Sequence, residues 1–231
     1  MTNPHAAADA ALLSERMAEW LRGDAVRVLA AAGQLDQERY KVRGLDENGN
    51  PSRADDVLDV FSDDDTAGAA GYVAVRGGDP RCAAVGLYHG VRHEHAFLVI
   101  TAHRVAVLRL RDTQDGSAAA AQELKSNGDG SLGGTLRGIG RFVKASATEL
   151  AKSMRRPPLH ERPGDAVLEC PFELPLGALR GVRRWKQPLV PEFRGGPRFV
   201  QLIFTDGSWT RIKTDEHGQA ALLGPTGQPH P

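Results

Sequence analysis

The stretch HAFLVITAHRVAVLRL, residues 95–110, constrains the fold more than any other part of the chain. Phe97 and Val99 fall on one side of an extended chain and Leu98 and Ile100 on the other. Val105 and Val107 then alternate with Ala106, Leu108 and Leu110. The polar break from Thr101 to Arg104 divides the stretch into two strands. Apolar side chains on both faces predict a sheet that is at least partly covered on both sides. The chain has 231 residues, 26 Gly, 14 Pro and only 6% aromatic residues, which suits a modest core reached through many turns.

Further β texture lies on either side. GYVAV and AAVGLY read as short strands around the turn GGDP. In VLECPFELP, Leu168, Cys170, Phe172 and Leu174 alternate with Glu169, Pro171 and Glu173, a half-buried strand. Pro171 has no N–H for a ladder and favours an edge position for that strand. RFVQLIFTDGSWTRIKT is a hairpin around Asp206 and Gly207. A last helix is expected from Asp215 to Gly224, with Gly218 costing it about 1 kcal/mol against Ala. The tail, residues 225–231, should be frayed.

Before residue 35 the expected texture is helical. Leu12, Leu13, Met17, Trp20 and Leu21 recur at spacings of three and four, Gly23 interrupts, and Asp24 can N-cap a second short helix, AVRVLAAAG, closing at Gly33. Isolated short helices are marginal in water, so this apolar stripe is expected to pack on the β domain and cover its open end. The expected organisation is a helical region 1–34, an acidic loop-rich segment 35–69, and a β domain 70–224 with an insertion at 113–165.

Lys plus Arg equals Asp plus Glu at 29 each, which removes whole-molecule attraction to a polyanion. The balance is local rather than uniform. Residues 36–65 hold ten acidic against four basic residues, a net of −6. Residues 131–162 hold seven basic against two acidic, a net of +5, and residues 180–198 hold six against one, again +5. The first basic stretch predicts an amphipathic helix at 136–156 with Arg137, Arg141, Phe142, Lys144, Lys152, Arg155 and Arg156 as contact residues. The second predicts a basic loop carrying Arg180, Arg183, Arg184, Trp185, Lys186, Arg194 and Arg198. Both suit a protein partner or self-association. An anionic membrane surface is the alternative, and nucleic acid is disfavoured because few aromatics are interleaved for stacking.

Catalytic and metal patterns are scarce, so no enzyme, cofactor or metal is expected. The chain has no G-x-S-x-G, H-E-x-x-H or phosphate loop ending in G-K-[ST]. Asp46, Asn48 and Asn50 imitate a calcium loop, but Pro51 and Val57 stand where its Gly and bidentate Glu belong, so DENGNPS is a turn. His89, His93, His95 and His103 lack partners at familiar zinc spacings. Cys82 and Cys170 are expected to be buried free thiols. No run approaches 18 apolar residues and the N-terminus has no basic stretch before its apolar one, so a cytoplasmic protein, membrane-peripheral at most, is expected.

The order of these motifs resembles the bacterial pleckstrin-homology-like domains. The residues concerned are ITAHRVAVL with Thr101 and Arg104 at its turn, ELPLGALRGV with Leu174, Leu176, Leu179 and Val182, and VQLIFTDGSWTRI. The resemblance covers residues 70–112 and 165–223. It implies two roughly orthogonal antiparallel sheets forming a barrel or sandwich closed by a C-terminal helix, and a role in protein or lipid recognition.

Overall fold

The structure, a computed structural model, describes residues 4–35, 38–52, 72–92, 96–113, 159–186 and 196–224. It divides into two compact units, 1–110 with 168–231 and 111–167. The strands are β1 (Val26–Ala31), β2 (Glu38–Val42), β3 (Tyr72–Gly77), β4 (Ala96–Thr101), β5 (Arg104–Asp112), β6 (Ala166–Pro175), β7 (Leu179–Trp185), β8 (Arg198–Phe204) and β9 (Trp209–Thr214). The described helices are α1 (Pro4–Leu21), α2 (Ala83–Gly90) and α3 (Glu216–Leu223). The fold is mainly β, with one sheet ordered β1-β4-β5-β6 and another ordered β2-β3-β9-β8-β7.

The long apolar stretch forms the expected hairpin, β4 against β5, and every residue of β4 is buried. Leu98, Ile100, Val105 and Val107 enter the main core together with Val182, Val200, Leu202, Phe204 and Ile212 from the five-stranded sheet. Phe97, Val99, Ala106 and Leu108 are also buried, but on the outer face. Leu12, Leu13 and Met17 of α1 are buried outside the main core as well. Arg104 and Glu173, on that outer face, bind the end of α1: Arg104 Nη2 donates to the Trp20 and Leu21 carbonyls and Trp20 Nε1 donates to Glu173. The stripe of α1 therefore packs on the outer face of the four-stranded sheet, and burying each such side chain contributes about 1.5–3 kcal/mol.

The second expected helix is a strand. Arg22 and Gly23 take positive φ, the chain turns, and β1 pairs antiparallel with β4. The Asp24 carboxylate that was to cap a helix instead accepts from Thr101 Oγ1 and Arg104 Nε. Conversely AAVGLY, expected as a strand, is helix α2. Its N-cap residue Cys82 makes no side-chain capping bond, and the free N–H groups of Ala83 and Ala84 donate instead to Asp206 Oδ2 and Ser208 Oγ in the β8–β9 turn. Gly86 lets α2 lie against the other sheet, since a Cβ there would stand 3.1 Å from the Phe172 ring.

The segment expected to be loop-rich contains β2, which pairs parallel with β3. The two sheets meet where Gly33 and Lys213 exchange backbone hydrogen bonds of 2.9 and 2.8 Å, but they do not close into a barrel. Among the described strands β6 lies at a sheet edge, the position Pro171 favours. Cys82 is half-buried and Cys170 exposed, because the edge position of β6 leaves its alternating side chains only partly covered. α3 begins and ends as expected, with the Asp215 side chain accepting from Gly218 N and Gly224 at φ 70°. In the second unit Arg162 pairs with Asp112 and Asp165, each at 2.7 Å.

Candidate functional site

The pairing of β7, β8 and β9 aligns three polar side chains across one face of the five-stranded sheet. Arg183 lies opposite Gln201, and Gln201 opposite Arg211. Val182, Val200, Leu202 and Ile212 alternate with them and face the core, so these residues belong to the opposite, outer face. Gln201 Oε1 accepts from Arg183 Nε at 3.2 Å and Nη2 at 3.0 Å. Gln201 is fully buried, and its Nε2 has no described acceptor.

Arg211 is 2% exposed and donates from Nη1 to the Val73 carbonyl at 2.9 Å. Its guanidinium carbon lies 4.4 Å from the ring centroids of both Trp185 and Trp209, a geometry in which the ring quadrupoles attract the cation. Trp185 also meets Tyr72 and Phe199 edge-on, at 5.8 and 5.7 Å between centroids. It is half-buried and fills this aromatic cluster.

Among the described strands β7 is the edge of this sheet. Its sequence continues RGVRRWK, four cations with no acid, and Arg180, Arg183, Arg184 and Lys186 are exposed. The expected basic loop is therefore in part a strand, because Val182 faces the core and residues 181–185 register with β8. Arg198 departs from the expected rim: it begins β8, is 8% exposed, and its Nη2 lies 3.5 Å from Glu216 of α3. Arg137, Arg141, Phe142, Lys144, Lys152, Arg155, Arg156 and Arg194 lie outside the described residues. Sequence reading missed Gln201, Arg211, Trp209 and Tyr72. The available signal was Gln201, a lone polar residue within the apolar run FVQLIF, with Arg211 at the matching place beyond the Asp206–Gly207 turn.

No protein-family model, curated protein or solved structure matches the chain. Its chemistry is read from its side chains.

Two other polar clusters serve the fold. Tyr88 OH donates to the Glu38 carboxylate and accepts from Leu35 N at 3.1 Å, joining α2 to β2. Burial, then Glu38, pushes the Tyr88 hydroxyl well above its usual range and pushes Tyr40 up to about 12. Asp46 accepts from Asn48 N, Asn50 N and Asn50 Nδ2, so its carboxyl is held below the usual range by the turn's own hydrogen bonds, those of Asn50 first. Among the described residues no three His, Cys, Asp or Glu side chains converge as metal ligands. His89 packs against the Tyr40 ring, while His103 lies 3.6 Å from Asp24. His93 and His95 lie outside the described residues.

Proposed function

We propose that the protein is a non-enzymatic binding or assembly module that recognises a protein partner through the basic edge of its five-stranded sheet. The observation that carries this reading is β7, where exposed Arg180, Arg183, Arg184 and Lys186 stand beside a sheet face braced by Trp185, Arg211 and Trp209. Electrostatic complementarity of this kind favours an acidic partner and speeds encounter. The large apolar side chains exposed among the described residues are Val26 and Val167, which belong to strands of the other sheet, so β7 offers charge without an apolar wedge for lipid. No described helix is long and apolar enough to cross a membrane.

The pleckstrin-homology-like resemblance belongs to the same proposal. Its motifs fall on the β4–β5 turn, the β6–β7 corner and the β8–β9 hairpin, followed by α3. Sedimentation with phosphatidylserine vesicles, set beside titration with a glutamate-rich peptide, tests the reading. Peptide binding that weakens with salt and with Arg180→Glu supports it. Vesicle binding without peptide binding replaces it with membrane recognition.

A further inference from the structure

We infer that β7 takes up an acidic peptide segment in extended conformation as an additional strand of the sheet. This rests on the protein-partner reading above and names the occupant and its binding mode. Among the described strands β7 pairs with β8 alone, so an added strand would use the backbone groups of β7 that alternate away from β8.

The charges of β7 determine which strand fits. Side chains of an added strand alternate between the two faces and stand about 4.5–5.5 Å from their opposite neighbours, measured between Cβ atoms. Arg183 projects on the outer face, Arg184 on the opposite face, and Arg180 occupies the irregular step between Leu179 and Gly181. Carboxylates on the incoming strand therefore meet cations on both sides. A second copy of β7 would oppose arginine with arginine, which disfavours pairing between identical edges. Basic or neutral strands gain less, so the same residues that guard the edge select for acid.

Arg183 is held ready for that contact. Its Nε and Nη2 bind a neutral amide oxygen on Gln201, and Nη1 is left out of the pair. A carboxylate is the stronger acceptor, because charge-assisted hydrogen bonds are about twice as strong as neutral ones.

The test uses the full chain and a twelve-residue peptide alternating Glu with Thr, the same peptide N-methylated at alternate backbone nitrogens, and a Lys-for-Glu version. Binding is followed by fluorescence anisotropy and by amide hydrogen exchange across residues 179–185. Strand addition predicts that the Glu peptide binds and slows β7 exchange, while N-methylation and Arg183→Glu each weaken binding about tenfold or more. The Lys peptide is expected not to bind. Arg180→Glu is the second variant, and an unchanged melting temperature in either variant shows that the fold is intact. Equal binding of the N-methylated peptide, or unchanged β7 exchange, overturns strand addition and leaves recognition of an acidic partner standing. Binding to phosphatidylserine vesicles with none to the Glu peptide overturns both.

Discussion

Arg104 holds its guanidinium carbon 4.1 Å from the centroid of the Trp20 ring and donates to the Trp20 carbonyl from Nη2 at 2.8 Å. A cation at the last carbonyls of α1 satisfies acceptors that have no partner within the helix and opposes the negative end of its dipole. The same guanidinium reaches Asp24 and Glu173, each at 3.3 Å, so one side chain joins α1, the turn before β1, and β6.

Arg104→Ala should therefore cost about 2–4 kcal/mol, since it removes the cation paired with a mostly buried Asp24 and the guanidinium donor to the Trp20 carbonyl. A fall of several degrees in melting temperature is expected. Arg104→Lys should recover only part of it, because an ammonium cannot reproduce the fork. Full recovery by Lys would show that charge alone matters there.

Removal of residues 1–22 takes away α1 but leaves β1 in the sheet. The loss uncovers Phe97, Val99, Ala106 and Leu108, so increased binding of a hydrophobic dye and a lower melting temperature are expected. Removal of residues 1–34 also deletes an edge strand paired with β4 and should prevent stable folding. A truncation at residue 22 that melts like the intact chain would contradict this role for α1.

Gly218→Ala should destabilise the protein, although helix propensity alone favours Ala by about 1 kcal/mol. A Cβ at this position would collide with Thr214 Oγ1 and stand 3.0 Å from both the Ala30 Cβ and Asp215 Oδ1. Forced overpacking costs about 1–3 kcal/mol, which exceeds the propensity gain. Urea midpoints of the two chains decide the sign.

Alkaline pH should weaken the fold through Tyr40 and Tyr88. Both hydroxyls are raised in the folded state, Tyr40 to about 12, while an unfolded tyrosine titrates near 10. Their contribution is present below about pH 10 and is lost as pH rises towards and beyond 12, because the unfolded chain releases its protons first. Tyrosinate absorbance should rise late for these two residues in the native protein, and Tyr40→Phe should flatten the fall of the urea midpoint above pH 10. An early rise for both would refute this account.

Elements marked by their own residues were legible. Alternation and β-branched side chains identify β4, β5, β8 and β9, Pro171 marks an edge, and Asp215 with Gly224 bounds α3. The basic character of β7 was legible as charge, but its companions Gln201 and Arg211 lie 18 and 28 residues from Arg183 in the chain and become neighbours only through strand register.

Two errors have a common cause in capping. Asp24 is a good local cap, yet Thr101 and Arg104 occupy its carboxylate, and the residues after it pair with β4 as a strand. Ala83 and Ala84 have no local cap, yet Asp206 and Ser208, more than 120 residues away, bind their N–H groups and α2 forms. Sequence alone settles an element when its periodicity and end residues agree. Where a cap is worth only about 1 kcal/mol, hydrogen-bond partners delivered from distant parts of the chain outweigh it, and tertiary structure decides between helix and strand.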